Sequence, residues 1–156
     1  MAVTITTQMC DVAKVAFLRG EHLAADTYKM ALIDVTGTGT YGLLTTAYGT
    51  SAGAPTVSNL GTDEIAATGS YADGGFTMTG YATGSTGSTS WIDWTTDPSF
   101  TTATISAVGA MLYNDTDAGK PAIATFSFGG TITSTAGTFT ITLPAAAAAT
   151  ALIRIA

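Results

Sequence analysis

The stretch TTATISAVGAMLYNDTDAGKPAIATFSFGGTITSTAGTFTITL, residues 101–143, decides the fold class. Apolar and β-branched residues recur there with the period of half-buried strands. The strands predicted from this pattern are 101–113, 121–128, 130–135 and 137–143. Asn114 to Gly119 supplies the residue types that turns need, which predicts a turn between the first two strands. Gly109 interrupts the longest strand and indicates a bulge or a close approach of another chain segment.

The same period of two continues on both sides of this stretch. TYKMALIDV, residues 27–35, is predicted as a strand with Tyr28, Met30 and Leu32 on one face. Further short strands are predicted at 64–72, 75–82, 88–95 and 150–155, with a weak one at 41–48 inside a long connection, 36–63.

Helical spacing is confined to residues 8–20, where Gly20 is the predicted C-terminal stop. Many short strands separated by Gly-rich turns predict an all-β fold. The expected architecture is an antiparallel β-sandwich or jelly-roll-like barrel of about eight strands with one short N-terminal helix. Residues 1–7 are predicted to form an N-terminal arm, and residues 8–156 a single β-sandwich domain that includes the helix.

The composition is poor in charge. Charged residues make up 10% of the 156 residues, against about 25% in an ordinary soluble domain. The formal net charge of −6, with five Lys and Arg residues in all, argues against a nucleic-acid partner. Residues 121–153 carry no charge, but Pro and Gly interrupt them, so no membrane span is expected. The N-terminus lacks the basic patch and apolar core of a secretory signal, so folding in the cytoplasm of the producing cell is expected.

The chemistry-bearing residues do not form a recognisable catalytic set. Cys10 and His22 are the single Cys and single His, too few for a zinc site, and they are predicted to be a buried thiol and a helix-end imidazole. Asp115 and Asp117 alternate as in a calcium loop, but the closing Glu is missing, so the segment is interpreted as a turn. We therefore expect no enzyme activity, no catalytic residue, no cofactor and no metal.

A set of ordered fragments resembles a group of small virion proteins of tailed bacteriophages. The fragments are YKMAL (28–32), ADGG (72–75), Trp94, TISA (104–107), AMLYN (110–114), FSFGG (126–130), GTFTI (137–141) and IRIA (153–156). The resemblance covers about residues 14–156 and departs from the group in the 41–62 segment and in the alanine run. It implies a β-rich structural protein of the virion, specifically a capsid decoration or cement protein, and it implies no catalytic residue.

The resemblance also implies the partners. These would be the major capsid protein and sister subunits, for example as a trimer, in a virion assembled in the host cytoplasm, without nucleic acid or membrane contact. The 1–7 arm and the 36–62 loop are neutral and lack a core pattern, which favours them as contact segments. The residues expected at an interface are Val3, Thr4, Ile5, Tyr41, Leu43, Leu44, Trp91 and Trp94.

Two other classes of protein remain open. A carbohydrate-binding module of a phage tail or fibre would stack sugars on Trp91 or Trp94. A self-assembling filament subunit would donate residues 1–7 as a strand to its neighbour.

Overall fold

The computed structural model describes residues 2–49 and 59–156, and it confirms the all-β fold with one short helix. Residues 50–58, within the predicted 36–63 connection, lie outside the described residues. In chain order the elements are β1 (Thr4–Ile5), β2 (Gln8–Met9), α1 (Asp11–Arg19), β3 (Tyr28–Asp34), β4 (Thr40–Tyr41), a short 3₁₀ helix (Gly61–Asp63), β5 (Phe76–Thr77), β6 (Tyr81–Thr86), β7 (Thr89–Trp94), β8 (Ser99–Asn114), β9 (Ala122–Thr140) and β10 (Ile153–Ile155).

Two antiparallel sheets form a sandwich-like arrangement. The larger has the strand order β2-β9-β8-β3-β5, and the smaller has the order β10-β7-β6. One apolar cluster contains Leu32 and Leu112 from the larger sheet together with Trp94 and Ile153 from the smaller. The main core therefore lies between the two sheets.

The strand β3 is buried on both faces. Tyr28, Met30 and Leu32 belong to the main core, as the alternation predicted. Ala31 and Ile33 point the other way, into a second apolar cluster that also contains Tyr41 of β4. A second layer formed by the N-terminal segment and the loop after β3 therefore covers the outer face of the larger sheet.

The hairpin of β8 and β9 dominates the larger sheet, with strands of 16 and 19 residues. The three strands predicted over 121–143 are one strand, β9, because the glycine pair at Gly129 and Gly130 forms a bulge and not a turn. Between the pairs Gly109–Ser127 and Ala107–Ile132, the chain advances five positions in β9 and two in β8. Extra residues of this kind bend a strand and strengthen its twist.

Gly109 is a point of close approach, as predicted, and it also borders a register shift in the pairing of β8 with β3 and with β9. A Cβ atom there would lie 2.4 Å from the Phe126 carbonyl oxygen and 2.6 Å from the Ile5 Cδ1 atom. The absence of a side chain lets the N-terminal segment lie directly on β8.

The N-terminal segment, predicted as an arm over residues 1–7, is held against its own chain. The Thr4 N–H donates to the Gly39 carbonyl, and the Thr6 N–H donates to the Tyr41 carbonyl, both at 3.0 Å, so β1 and β4 pair in parallel. Residues 8 and 9 form β2 against β9, and the helix begins at Asp11 and not at residue 8. Since β1 pairs with β4 of its own chain, its backbone is not available to a neighbouring subunit, which argues against a filament subunit that donates residues 1–7.

The predicted strand at 64–72 is absent from the described structure. Residues in this range make isolated bridges, Ile33–Glu64 and Thr68–Tyr71, and otherwise form a loop held by side chains. The predicted strand at 75–82 is divided into β5 and β6, because Gly80, at φ 74°, turns the chain between them. No helix of the described chain has the length and apolarity that crossing a membrane requires.

Candidate assembly surface

Two of the residues predicted at an interface are buried inside the chain. Tyr41 and Trp94 are each 1% exposed, so neither reaches a partner, and this part of the prediction is wrong. Trp94 instead packs in the main core with its ring centroid 5.1 Å from that of Tyr28 and 5.6 Å from that of Tyr81. The alternation of Trp91 and Trp94 could not show which ring faces inward, because the two residues lie on opposite faces of one strand, β7, and the sequence does not say which face is buried.

The buried carboxylate of Asp63 fixes the loop that precedes and includes β4. Its Oδ2 atom accepts hydrogen bonds from the Thr38 N–H at 2.9 Å, the Gly39 N–H at 2.7 Å and the Tyr41 hydroxyl at 2.8 Å. Burial, together with this hydrogen bond to Asp63, raises the pKa of Tyr41. Three donors on one carboxylate oxygen satisfy a buried charge and give the loop a defined geometry.

The neighbouring carboxylate, Glu64, fixes two further loops. It accepts hydrogen bonds from the Tyr48 hydroxyl, the Tyr71 hydroxyl at 2.8 Å and the Gly74 N–H at 2.7 Å. Burial raises the pKa of Glu64, although the three hydrogen bonds oppose that shift. The Tyr71 oxygen also accepts the Leu32 N–H at 3.0 Å, so the network is attached to the central strand β3. Asp63 and Glu64 are sites that the sequence prediction missed, because an acidic pair in a loop gives no sign of its burial.

A rigid turn between Gly42 and Thr45 carries two exposed leucines. The Thr45 N–H donates to the Gly42 carbonyl at 3.1 Å, and the Gly42 N–H donates to the Thr45 hydroxyl at 2.9 Å. Thr45 is fully buried, whereas Leu43 and Leu44, at the two central positions, are 39% and 70% exposed. We call this segment the leucine turn; it places two of the predicted interface residues at the surface.

The leucine turn lies at the N-terminal end of α1, since the Asp11 N–H donates to the Leu43 carbonyl at 3.0 Å. Two apolar side chains of α1 are also exposed, Val15 at 45% and Leu18 at 89%. Exposed groups of this kind are typical of interaction sites.

The remaining N-terminal candidates lie partly against the chain. Val3 and Ile5 are half-buried against the second apolar cluster, and Thr4 is exposed on β1. The Val3 and Ile5 side chains stabilise the fold of the N-terminal segment, so their main contacts are with their own chain.

Trp91 is half-buried on β7, and its ring covers the glycine opposite it. Gly84 is its cross-strand partner, and a Cβ atom there would lie 2.5 Å from Trp91 Cζ2. A cleft of about 360 Å³ opens beside the ring, and Ile155, 51% exposed, forms part of its wall. The hydroxyl residues of this cleft are Thr83, Ser85 and Ser90.

Cys10 and His22 occupy different environments. Cys10 is fully buried in the second apolar cluster, and burial raises its pKa to about 12. His22 packs edge-on to Phe17 at 4.9 Å, and its Nδ1 atom lies 3.2 Å from the Asn114 Nδ2 atom. Burial lowers the pKa of His22, and because the Asn114 Nδ2 atom can only donate, the neutral ring accepts on Nδ1 and carries its proton on Nε2. A thiol that resists ionisation is a poor nucleophile.

The segment from Asn114 to Gly119 is the predicted turn. Its Asp115 carboxylate lies 2.7 Å from the Lys120 ammonium and 3.2 Å from that of Lys29. Although burial opposes it, the hydrogen bonds from Lys120 and Lys29 lower the pKa of Asp115. Within the described ranges, no group of three or more His, Cys, Asp or Glu side chains has the arrangement to hold a metal ion.

No protein-family model, curated protein or solved structure matches the chain.

Proposed function

We propose that the protein is a structural subunit of a tailed-phage virion, and specifically a decoration protein that binds the head through non-covalent contacts. Its partners are the major capsid protein and sister subunits. The ordered sequence fragments suggest this class of protein, and the character of the surface supports it.

The observation that carries the proposal is the leucine turn. A turn tip usually holds polar residues, but here two leucines face solvent on a backbone that buried side chains hold in place. A preformed apolar projection loses little conformational entropy when it is covered by a partner. Leu43 and Leu44 therefore supply the apolar centre of a contact with the capsid.

The scarcity of charge in the chain as a whole favours the same role. The chain has 10% charged residues, and 121–153 has none. The centres of protein interfaces are depleted in charged residues, and neutral groups are desolvated more easily than ions. A protein that covers a capsid lattice needs extensive surfaces of this type.

Binding to phage heads that lack the protein tests the proposal. Purified chain is mixed with such heads and the bound fraction is measured by co-sedimentation over a range of concentrations. Leu44→Asp is expected to weaken binding about tenfold or more, because it buries a charge at the contact. Ile155→Asp is the matched control, since Ile155 is also exposed but lies away from the leucine turn, in the Trp91 cleft.

Unchanged binding of Leu44→Asp would remove the leucine turn from the contact. Absence of any binding by the wild-type chain would overturn the virion role.

The Trp91 cleft favours a second candidate function, carbohydrate binding in a phage tail or fibre. An indole ring beside hydroxyl side chains offers a sugar both a stacking face and hydrogen bonds. This candidate predicts that glycans quench Trp91 fluorescence and that Trp91→Ala abolishes the effect, with Trp94 unaffected because it is buried. A glycan array without a signal would exclude it.

A further inference from the structure

One short stretch, residues 60–64, holds both ends of the chain segment that carries the leucine turn. Leu60 is fully buried and bonds to both ends, since its N–H donates to the Tyr48 carbonyl at 3.1 Å and its carbonyl accepts the Tyr41 hydroxyl at 3.2 Å. Two consecutive carboxyl groups repeat the arrangement. The Tyr41 hydroxyl also donates to Asp63 at 2.8 Å, and the Tyr48 hydroxyl donates to Glu64.

The segment between these two tyrosines is a compact loop with the leucine turn inside it. It leaves β4 at Tyr41 and ends at Tyr48, and both rings are buried, at 1% and 4% exposure. The Tyr48 ring also stacks on that of Tyr113 in β8, with the centroids 4.4 Å apart. Surface loops of about 6–16 residues whose ends lie close together are frequently functional.

The 60–64 stretch is itself attached to the central strand β3. Glu64 forms an isolated bridge with Ile33, and the next residue, Ile65, donates its N–H to the Leu32 carbonyl at 3.1 Å. The bonds described above reach the loop at its tyrosines and not at the leucines. The stretch therefore relates the leucine turn to β3 through the loop backbone.

Backbone pairing fixes each end of the loop to a different element. The Tyr41 carbonyl accepts the Thr6 N–H, next to β1, whereas the Thr46 carbonyl accepts the Ala122 N–H, at the start of β9. Residues 60–64, by contrast, bond to both ends at once. They therefore set the distance between the two ends and the direction in which the turn projects.

We infer that residues 60–64 are the positioning element of the leucine turn, and that they hold Tyr41 and Tyr48 together so that Leu43 and Leu44 face a partner in one fixed arrangement. A loop that is ordered before it binds loses less conformational entropy on binding. The effect at the capsid contact rests on the proposed function, whereas the effect on the loop is a property of the free chain. Asp63 and Glu64 are accordingly positioning residues, not contact residues.

Amide hydrogen exchange of the free chain tests the effect on the loop. The Thr45 N–H reports on the turn, because it donates to the Gly42 carbonyl. Tyr41→Phe and Tyr48→Phe each keep the ring and remove a hydroxyl that bonds to residues 60–64. Each variant is expected to speed exchange of the Thr45 amide about fivefold, the effect of losing one typical hydrogen bond. The Val35 amide, bonded to β8, should exchange as in the wild type.

Tyr28→Phe is the matched control. Its buried hydroxyl donates to the Leu23 carbonyl at 2.9 Å, so the variant loses a hydrogen bond of the same kind in the main core. Tyr28→Phe should lower stability to urea by a similar amount and leave the Thr45 amide protected. Equal acceleration at Thr45 in the control, or no acceleration in both loop variants, would overturn the inference.

A conservative change at Glu64 should preserve the position of the turn. Glu64→Gln can still bond to the Tyr48 hydroxyl and is expected to leave exchange at Thr45 unchanged, whereas Glu64→Ala should speed it. The two Tyr→Phe variants decide the question if Glu64→Ala does not fold. Equal exchange in Glu64→Gln and a folded Glu64→Ala would exclude Glu64 from the positioning element.

Binding to phage heads tests the effect at the contact. The double variant Tyr41→Phe/Tyr48→Phe retains both leucines, and it is expected to bind heads about threefold or more weakly, while Tyr28→Phe binds as the wild type does. Unchanged binding of a double variant whose turn exchanges faster would overturn the positioning role at the contact. A wild-type chain that binds no heads would overturn the virion role instead, and exchange at Thr45 would still decide whether residues 60–64 position the turn.

Discussion

The rings of Phe128 and Phe139 lie with their centroids 6.4 Å apart, although eleven positions separate these two residues of β9. At about 3.3 Å per residue, a straight strand would separate them by about 36 Å. The strand must therefore bend sharply between them, and the register shifts of the β8–β9 pair lie in this interval. The bend keeps Phe139 in the main core beside its cross-strand partner, Phe100.

The first prediction concerns the glycine pair in this bend. Gly129 has φ 73°, a conformation that costs an L-residue roughly 1–2 kcal/mol, whereas Gly130 has no such constraint, and a Cβ atom at either position would meet no other atom within 4 Å. Gly129→Ala should therefore lower the free energy of unfolding by roughly 1–2 kcal/mol, as measured by urea denaturation. Gly130→Ala, the matched control, should be close to neutral or slightly stabilising. Equal effects of the two substitutions would contradict this account of the bend.

The strands were predicted well from the sequence. An alternation of apolar and polar residues marks a strand with one buried face, and this alternation can be read from neighbouring residues alone. The sequence did not predict that 121–143 forms one bent strand. Gly129-Gly130 has the composition of a turn, and only the pairing with β8 makes it a bulge. It also missed β1, because a two-residue strand is held by its contacts with Gly39 and Tyr41 and not by its own pattern.

The second prediction concerns the close approach at Gly109. Gly109→Ala would place a methyl group against the Phe126 carbonyl and the Ile5 side chain. Either β9 or β1 must shift, so the free energy of unfolding should fall by about 1–3 kcal/mol. Gly119→Ala is the control, because a Cβ atom there meets nothing within 4 Å. Chemical denaturation of both variants measures the difference, and a neutral Gly109→Ala would show that the N-terminal segment does not lie on β8.

The third prediction concerns the buried carboxyl of Glu64. Its pKa is raised above 4.5 by burial, so its contribution to stability is complete below about pH 4.5 and is lost as the pH rises through the folded-state pKa. Glu64→Gln cannot ionise. At low pH, where the wild-type carboxyl is also neutral, the variant should be about as stable as the wild type, because its amide oxygen can accept the hydrogen bonds from Tyr71 and Gly74 and its amide N–H can donate to the Tyr48 oxygen as a protonated carboxyl does.

Glu64→Gln should then become more stable than the wild type as the pH rises from about 4.5 through the folded-state pKa, because only the wild type has a carboxyl that must ionise. Urea denaturation at a series of pH values measures the difference in unfolding free energy between the two chains. A wild type that gains stability relative to the variant as the pH rises would mean that the folded chain favours the carboxylate ion.

The candidate surface could be predicted only in part. Leu43 and Leu44 were expected at an interface because their loop is neutral and lacks a core pattern, and both are exposed. Tyr41 lies in the same neutral loop, yet its side chain is buried, because its hydroxyl donates a hydrogen bond to the Asp63 carboxylate, 22 positions away in the sequence. The burial of a side chain depends on partners far away in the sequence, and a local pattern carries no information about them.

The fourth prediction concerns the thiol of Cys10. Burial raises its pKa to about 12, so the fraction of reactive thiolate at neutral pH is negligible, and the side chain is fully buried. A thiol reagent should therefore label Cys10 in the native chain at the rate of unfolding, and immediately in concentrated urea. Rapid labelling of the native chain would contradict the packing of the N-terminal segment over the second apolar cluster.

The last prediction concerns the pH dependence caused by His22. Burial lowers the pKa of this imidazole below 6.5, and the opposing charges of Asp117, Asp26 and Glu21 do not restore it. Below pH 6.5 the unfolded chain therefore takes up a proton that the folded chain resists, so stability is lost as the pH falls from 6.5 toward the folded-state pKa.

His22→Gln should lose less stability than the wild type over that window, because glutamine stays neutral while its carbonyl can still accept the hydrogen bond from Asn114. Thermal or urea unfolding at pH 7.5 and at about pH 5.5 measures how steeply the stability of the wild type and of His22→Gln changes with pH. A second variant, His22→Ala, separates the loss of ring packing against Phe17 from the loss of proton uptake. Both variants should show the weaker pH dependence, while only His22→Ala loses stability at pH 7.5 through the cavity it leaves. Identical slopes for wild type and both variants would mean that His22 binds its proton equally in the folded and unfolded chain, and would contradict the burial of its ring.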